Sequence, residues 1–444
     1  MPPSIDDCLA AYNVDQVKSS SELRRDLDAW VLAGGYASPN ASATSPASVD
    51  DKMSTAEGIV YCLDETSLPP PPPDTQPMDP TVLAASAAFG WGRTSLGGVI
   101  LNTTRLRAAI DDCRVYKDAF EVSLLRNALA VTRSAHIAVQ TLLRRTQGLL
   151  PEVALENLTE ADLEGVFRGT CVALHAKHQA YDPIVCSGRA CATLHYTANS
   201  APLGPRKQLL LIDAGAEWDC YAADITRTYP LSGVWTTEAK SVYAIVDRMQ
   251  RECIARTVAG VPWRETHFLA ARIATEGLLN LGVFTGGNTP SRVDEIFRAG
   301  TWRAFYPHGL GHMIGLECHD VEGTPDDNSG YDPHLSSTCP LLPQNQPRHS
   351  HLPPPPGAQG KDRAGVLVNR IIKPGMVLTV EPGIYFCDWI IKPYILEPKH
   401  KDFIDPKVLD MYWDVGGVRV EDMVLVLGEG DGNEVLSKNI PRVW

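Results

Sequence analysis

Two aspartates eleven residues apart form the first group that could do chemistry. Asp213 ends an apolar run in LLLIDAGAEWDCYAADITRTYP, and Asp224 lies in the next predicted strand. If these strands pair through the intervening turn, both carboxylates face one point, where burial and repulsion favour a bound cation or a shared proton. The alternative interpretation is structural: Asp213 caps the turn at Gly215, and Asp224 bonds a hydroxyl group.

Three histidines form a second group, within twelve residues of the segment FYPHGLGHMIGLECHD: His308, His312 and His319. A lone histidine in an apolar run is more often a core residue than a ligand, but these three are interleaved with glycines. Glycine allows the backbone to approach a ligand closely. Histidine transfers protons near neutral pH, so the segment is predicted to contribute to a chemical site.

Two glutamates lie inside apolar runs that predict buried strands. Glu381 is in VLTVEPGIYF, and Glu421 is in GVRVEDMVLVL. A carboxylate buried in a strand is costly, or changes its protonation state, unless it is paired or binds a metal. The alternative is an edge strand whose glutamate faces water. Of the neighbours Glu421 and Asp422, we expect Asp422 to be the exposed one.

Four carboxylates and one histidine suffice for two divalent cations in an oxygen-rich site. Oxygen ligands with one imidazole favour manganese, cobalt or magnesium over a zinc ion held by cysteines. Two ions about 3.5–4 Å apart can activate a bridging water and hold a tetrahedral intermediate. The joint occurrence of the motifs in this order therefore predicts a two-metal hydrolytic centre.

The segments that must position these residues are predicted to be helices and strands. Apolar residues at helical spacing predict a long amphipathic helix from about Asp118, and a second helix starts at a cap, Thr159. KQLLLIDAG predicts a buried strand and a turn, CYAADITRTYP predicts the next strand, and helices are expected at about 237–257 and 264–280. This order predicts an α+β domain with an antiparallel or mixed sheet.

The bulk composition disfavours several classes of protein. The 444 residues are 44% hydrophobic, which is enough for a sizeable core, and carry a formal net charge of −13, which disfavours nucleic acid and anionic membrane surfaces as partners. The eleven cysteines form no CxxC pair, which argues against a disulfide framework and a zinc knuckle. We expect neither a membrane span nor a signal peptide, and we expect a cytoplasmic location.

Three stretches have compositions that do not form a packed core and predict surface loops or disorder. They are residues 37–56, 68–80 and 324–364. The last stretch separates two segments with ordered character, so it is predicted to be a proline-rich insertion within a domain.

Together the motifs resemble the metallopeptidase family with the pita-bread fold, specifically its proline-directed branch of aminopeptidase P and prolidase. The fingerprints are TLHYTANSAPL, LLLIDAGAEWDCYAADITRTYP, HGLGHMIGLECHD, VLTVEPGIYF and WDVGGVRVEDMVLV, and the last region is similar to fungal Xaa-Pro aminopeptidases. The resemblance implies a pita-bread (creatinase/aminopeptidase) catalytic domain at 117–444. A smaller α/β domain at 1–116, shorter than is usual in the family, would precede it.

The resemblance also implies the metal ligands. Asp213 would bind one metal, and Asp224 and Glu421 would bridge the two metals. His312 and Glu381 would complete the second metal site, and Glu381 would act as general base toward the bridging water. All five positions carry the residue types that the family requires.

Further residues match active-site positions of the family. His319 would stabilise the intermediate and the leaving nitrogen, and His195, in the LHYT motif, would bind the substrate. His308 and Arg419 match other catalytic positions. Tyr385 lies beside them and, with Arg419, is expected to contribute to substrate binding.

The function implied is that of a Xaa-Pro aminopeptidase, which releases the first residue from peptides with proline in second position. The cofactor would be two manganese ions per subunit, with cobalt or another divalent metal as alternatives, and the assembly a homodimer. An X–Pro bond has no N–H, so the site must accept a ring and forgo one hydrogen bond. The alternatives are a prolidase restricted to Xaa-Pro dipeptides and a non-catalytic pita-bread binding module.

Overall fold

The computed structural model describes residues 58–61, 95–96, 99–102, 105–144, 155–204, 207–323 and 370–442. The stretches predicted to be loose, 37–56, 68–80 and 324–364, lie outside these ranges. The chain divides into two units, residues 1–111 and 112–444. In the first unit, a sheet in the order β1-β3-β2 contains β1 (Gly58–Tyr61), β2 (Ser95–Leu96) and β3 (Val99–Asn102), with β1 parallel to β3.

The two predicted helices that open the second unit are present. After α1 (Arg105–Val115), helix α2 (Ala119–Arg144) packs along α3 (Glu160–Ala173). Thr159 caps α3 through a reciprocal pair of bonds: its side chain accepts from the Asp162 N–H, and the Asp162 carboxylate accepts from the Thr159 N–H. This capping box satisfies two N–H groups at the helix start, and it confirms the predicted cap.

Helices α4 (Thr237–Arg256) and α5 (Trp263–Asn280) confirm the helices expected at about 237–257 and 264–280. They pack against each other and supply much of the main apolar core. The remaining described helices are α6 (Pro290–Ala299), α7 (Asp388–Leu396) and α8 (Pro406–Leu409). Among the helices within the described ranges, none has the length and hydropathy that a membrane span requires.

Every strand pair described in the second unit is antiparallel, as the predicted α+β class allows. One sheet has the order β4-β5-β8 and another the order β13-β12-β9, while β6 pairs with β7 and β10 with β11. The strands are β4 (Ile184–Ser187), β5 (Leu209–Asp213), β6 (Glu217–Trp218), β7 (Tyr221–Ala222), β8 (Thr226–Pro230), β9 (Val377–Val380), β10 (Gly383–Tyr385), β11 (Gly417–Arg419), β12 (Asp422–Val426) and β13 (Asn433–Val435).

A tight hairpin returns the chain from β5 to β8. Asp219 and Cys220, between β6 and β7, have φ angles of 46° and 68°, the left-handed pair that a two-residue hairpin turn requires. A Cβ atom at Gly215 would lie 1.7 Å from the carbonyl oxygen of Ala223, so only glycine allows the two segments to approach this closely. The hairpin thereby places the end of β5 beside the start of β8.

Three site carboxylates lie next to strands rather than inside them, which corrects the prediction. Asp224 lies two residues before β8, Glu381 lies between β9 and β10, and Glu421 lies between β11 and β12. Pro382 has no N–H for a ladder bond, so the strand breaks at Glu381. The Glu421 N–H donates to the carbonyl of Thr226 in β8 at 3.1 Å, which takes it out of the pairing of β12 with β9.

Asp422 is fully buried, so the expectation that it is exposed was wrong. Its carboxylate accepts from the buried Arg227 guanidinium at 2.9 Å and from the Ser437 hydroxyl at 2.6 Å, with Gln250 and Arg442 as further donors. Burial alone would raise the pKa of Asp422, but the two guanidinium groups and the hydrogen bonds outweigh it and hold that pKa below its usual value. Arg227 of this network also donates to the backbone carbonyl of Glu421, so the network helps to fix the backbone at the site.

We expect the Asp422→Asn substitution to lower the free energy of unfolding by about 3–5 kcal/mol, because it leaves a buried guanidinium without its counter-charge. Urea unfolding of the variant and the parent chain measures this difference. Asp388→Asn is the matched control, since Asp388 pairs with Lys392 on the exposed side of α7 and is expected to change stability by no more than about 0.5 kcal/mol. A loss below about 1 kcal/mol for Asp422→Asn would contradict a stabilising role for the network.

Candidate metal centre

A cavity of about 890 Å³ lies in the second unit. Nine of the ten predicted site residues line it: His195, Asp213, Asp224, His308, His312, His319, Glu381, Arg419 and Glu421. The tenth, Tyr385, is buried and does not belong to the lining. Residues that are distant in sequence therefore meet at one concave site.

Asp213 and Asp224 converge on the hydroxyl group of Tyr181. That oxygen lies 2.5 Å from Oδ1 of Asp213 and 2.6 Å from Oδ1 of Asp224. A phenol has one proton to donate, so a second short contact is satisfied only if a carboxyl group carries a proton or a cation balances the charge. Burial raises the pKa of Asp213, although Arg419 opposes this with a bond of 2.6 Å to Oδ2.

His312 presents one ring nitrogen to two carboxylates. Its Nδ1 lies 2.9 Å from the carbonyl oxygen of Met313, to which Nδ1–H donates. Nε2 then faces Oδ2 of Asp224 at 3.4 Å and Oε1 of Glu381 at 3.5 Å. Burial lowers the pKa of His312, but the two carboxylates outweigh it and raise that pKa to about 9. A nitrogen held between two acidic oxygens carries a proton or binds a cation.

Glu421 is buried and lines the cavity. Its side chain is 1% exposed, and Oε2 accepts from the Thr226 hydroxyl at 2.7 Å. Oε1 has no hydrogen-bond partner among the described residues. One ligand atom each from Asp224, His312 and Glu421 lies within 4.8 Å of the others. Burial raises the pKa of Glu421 well above its usual value and that of Glu381 to about 8, a cost that a bound cation would remove.

Segment 310–314 positions His312 by running along β9. The Thr379 N–H donates to the His312 carbonyl at 2.9 Å, and the Glu381 N–H donates to the Leu310 carbonyl at 2.8 Å. A Cβ atom at Gly311 would lie 2.0 Å from the Thr379 carbonyl oxygen. At this position, the close backbone approach that glycine allows is therefore to a strand rather than to a ligand.

A chain of hydrogen bonds connects His308, through Tyr385 and Arg419, to Asp213. His308 donates from Nδ1 to the Gly309 carbonyl at 2.7 Å, so its Nε2 accepts from the Tyr385 hydroxyl at 2.8 Å. Arg419 reaches the same hydroxyl at 2.9 Å and continues to Asp213. Burial, with Arg419 nearby, lowers the pKa of His308 to about 3, so this imidazole is neutral. Tyr385 thus links two cavity-lining side chains without lining the cavity itself.

Two predicted histidines lie at the open part of the cavity. His195 and His319 are both exposed. The ring of His319 lies 4.3 Å from that of His312, measured between centroids. His319 therefore lies beside His312 at the open part of the cavity.

The sequence matches one known protein family over most of its length. The model of metallopeptidase family M24 matches residues 123–427, which is more than half of the chain. The chain belongs to this family. Membership in a metallopeptidase family implies divalent metal ions. The converging carboxylates, Nε2 of His312 and the Glu421 oxygen that lacks a partner in the described part of the chain fit such ions.

The relatives of this M24 chain include fungal proteins. It is 44% identical over 340 residues to a probable Xaa-Pro aminopeptidase of Fusarium vanettenii, covering 75% of this chain and 62% of the relative. It is 37% identical over 436 residues to a probable Xaa-Pro aminopeptidase of Metarhizium robertsii, covering 97% of this chain and 80% of that relative. The chain spans only about three fifths of the length of two of the relatives: 62% of the Fusarium protein and 61% of a Verticillium alfalfae relative.

Solved structures of bacterial aminopeptidases have the same fold as this M24 chain. The Pseudomonas aeruginosa aminopeptidase PepP is 26% identical, with a TM-score of 0.61 over 99% of this chain and 76% of that one. Escherichia coli aminopeptidase P with the inhibitor Pro-Leu is 26% identical, with a TM-score of 0.56 over 82% and 64%. The predicted α+β pita-bread fold is confirmed.

Three residues of this M24 site escaped the sequence analysis. Tyr181 contacts both aspartates, the Thr226 hydroxyl joins Glu421 to Arg419, and the Cys318 Sγ lies 3.0 Å from Oδ2 of Asp224. Thr226 follows Asp224 by two residues in an extended segment, and period-two spacing could have found it. Tyr181 carries no comparable signal, because its contacts arise from distant strands.

Proposed function

We propose that this chain is a Xaa-Pro aminopeptidase, which hydrolyses the bond between the first residue of a peptide and a proline in second position. The observation that carries the proposal is the buried convergence of Asp224, His312 and Glu421 on one cavity, where one Glu421 oxygen has no hydrogen-bond partner among the described residues. The substrate class is supported by the fungal relatives, which are probable Xaa-Pro aminopeptidases.

Five side chains would hold two divalent cations. Asp213 would bind one, His312 and Glu381 the other, and Asp224 and Glu421 both. Four carboxylates and a single imidazole support manganese as the metal, with cobalt as an alternative. When bound, the cations would lower the pKa of water and polarise the scissile carbonyl group.

The chain's own groups would handle the protons. Glu381, 18% exposed in its side chain and facing the cavity, would accept the proton of the attacking water. His319, beside His312, would hydrogen-bond to the developing oxyanion and assist departure of the proline nitrogen. Arg419 would keep Asp213 oriented through its bond to Oδ2. His195 would bind the peptide at the open side.

The lining of the cavity includes apolar side chains that suit a proline ring. Ile184, Leu194, Pro307 and Leu316 are among its lining residues and offer apolar surface to a ring that has no N–H to satisfy. The cavity is open to solvent on the side of His195 and His319, so a peptide that continues beyond the proline has room to extend.

The test is hydrolysis of Gly-Pro, Gly-Pro-Gly and Gly-Ala-Gly by purified chain that is first stripped with a chelator and then given manganese. We expect release of glycine from Gly-Pro-Gly only with metal, and at least about 100-fold slower cleavage of Gly-Ala-Gly, because alanine lacks the ring that the apolar lining would hold. Turnover of Gly-Pro alone would make the chain a prolidase. No turnover and no bound metal would favour a non-catalytic binding module.

The chain would form a homodimer in the cytoplasm, with its domain boundary after residue 116. These three points are supported by the family resemblance and the sequence. Light scattering on the purified chain would test the homodimer.

A further inference from the structure

A short loop carries His312 and His319, and hydrogen bonds join parts of its own backbone. We call residues 312–320 the histidine loop. The Asp320 N–H donates to the Met313 carbonyl at 2.9 Å, and the Gly315 N–H donates to the Glu317 carbonyl at 3.1 Å. The Ala222 N–H of β7 donates to Gly315 at 2.8 Å. These bonds fix the base of the loop, but its end at His319 is exposed.

A buried ion pair fastens that end to the chain before α2. Nζ of Lys117 lies 2.9 Å from Oδ2 of Asp320, and each side chain is 1% exposed. Arg114 reaches Oδ1 of Asp320 at 2.5 Å and Oε1 of Glu317 at 3.0 Å. The Lys117 N–H donates to the Gly375 carbonyl at 2.8 Å, which anchors the lysine next to the segment that leads into β9.

The pair belongs neither to the cavity lining nor to the metal-binding groups. Lys117 and Asp320 are absent from the residues that line the cavity. The fold makes room for them: a Cβ atom at Gly315 would lie 2.4 Å from Oδ2 of Asp320 and 2.7 Å from Cε of Lys117. Desolvating two charges is costly, and an apolar pair of similar size is often as stable, so stability alone does not account for this arrangement.

We propose that Lys117 and Asp320 are positioning residues for His319, an inference that rests on the proposed function. Asp320 follows His319 directly, so fixing both oxygens of its carboxylate fixes the backbone from which the imidazole projects. Without Lys117, the buried Oδ2 of Asp320 loses its charged partner, and the backbone at His319 shifts relative to His312. A displacement of about 1 Å at a catalytic group can lower the rate about 100-fold.

The first test is Lys117→Met, which keeps the length of the side chain and removes its charge. We expect kcat for Gly-Pro-Gly to fall about 100-fold, with KM and bound manganese unchanged, because only the oriented group is lost. Lys117→Arg is expected to restore most of the activity, since it restores the counter-charge. Lys392→Met, which breaks an exposed pair with Asp388, is the matched control with unchanged kcat.

The second test combines Lys117→Met with His319→Ala. If the lysine acts through His319, the double variant is as slow as His319→Ala alone. Effects of the two substitutions that multiply would overturn the proposal, because a purely structural lysine lowers activity independently of that histidine.

Hydrogen exchange tests the pair even if the parent chain cleaves none of these peptides, in which case the proposed function fails. We expect Lys117→Met to speed amide exchange at least about tenfold in residues 313–320 and not in α4, because the loop loses its anchor. Unchanged exchange in the loop would show that the pair does not hold it and would overturn the inference.

Discussion

Asp224→Asn is expected to lower kcat for Gly-Pro-Gly at least about 1,000-fold and to reduce the manganese bound per chain. The reason is the position of the carboxylate: one oxygen lies 2.6 Å from the Tyr181 hydroxyl, and the other lies 3.4 Å from Nε2 of His312. Asparagine replaces an acidic oxygen with an N–H₂ donor, which repels a cation. Metal ions contribute several kcal/mol to catalysis, and each 1.36 kcal/mol is about tenfold in rate.

Thermal unfolding with and without manganese gives the same substitution a second readout. A ligand that binds only the folded state stabilises it, so the parent chain should melt at a higher temperature with manganese than with a chelator. Asp224→Asn should lose most of that difference. Asp388→Asn serves as the control, with the full manganese effect retained. An undiminished manganese effect in Asp224→Asn would remove Asp224 from the metal site.

Glu381→Gln is expected to lower kcat by about 100- to 10,000-fold with little change in KM, because the amide cannot accept the proton of the attacking water. The side chain keeps its size and its carbonyl oxygen. That oxygen can still accept the bond from the Thr379 hydroxyl, which lies 3.4 Å from Oε1 of Glu381. Steady-state kinetics at saturating manganese separate the two roles of the residue, since added metal offsets a weakened ligand but not a missing base.

The control for this substitution is Glu295→Gln on the exposed face of α6, where the carboxylate pairs only with Arg292 among the described ion pairs. Its kcat is expected to match that of the parent. Recovery of full activity by Glu381→Gln at high manganese would mean that Glu381 holds metal and does not take the proton.

Local patterns were sufficient for the elements that surround the site. Helical spacing placed α2, and the cap at Thr159 was read correctly, because a capping box is a contact between residues only three positions apart. The apolar run before Asp213 correctly predicted β5, because a run of consecutive apolar residues is also a local property of the sequence. The placement of Glu381 inside a strand was wrong, although Pro382, which has no N–H for a ladder bond, is a local signal for a break there.

The sequence by itself determined the residue types of the centre. The carboxylates, the histidines and their order along the chain are a family fingerprint that needs no coordinates, and nine of the ten predicted residues line one cavity. It also determined the fold class, because the alternation of period-two and period-3.6 segments is a local property.

Only the tertiary structure decided which groups support that centre. Tyr181 meets Asp213 from 32 positions away, and Lys117 meets Asp320 from 203 positions away. Asp422 was expected in water and is fully buried against Arg227. The physical reason is shared: burial and charge pairing depend on which strands and loops pack together, and a side chain's immediate neighbours in sequence do not specify a partner that distant.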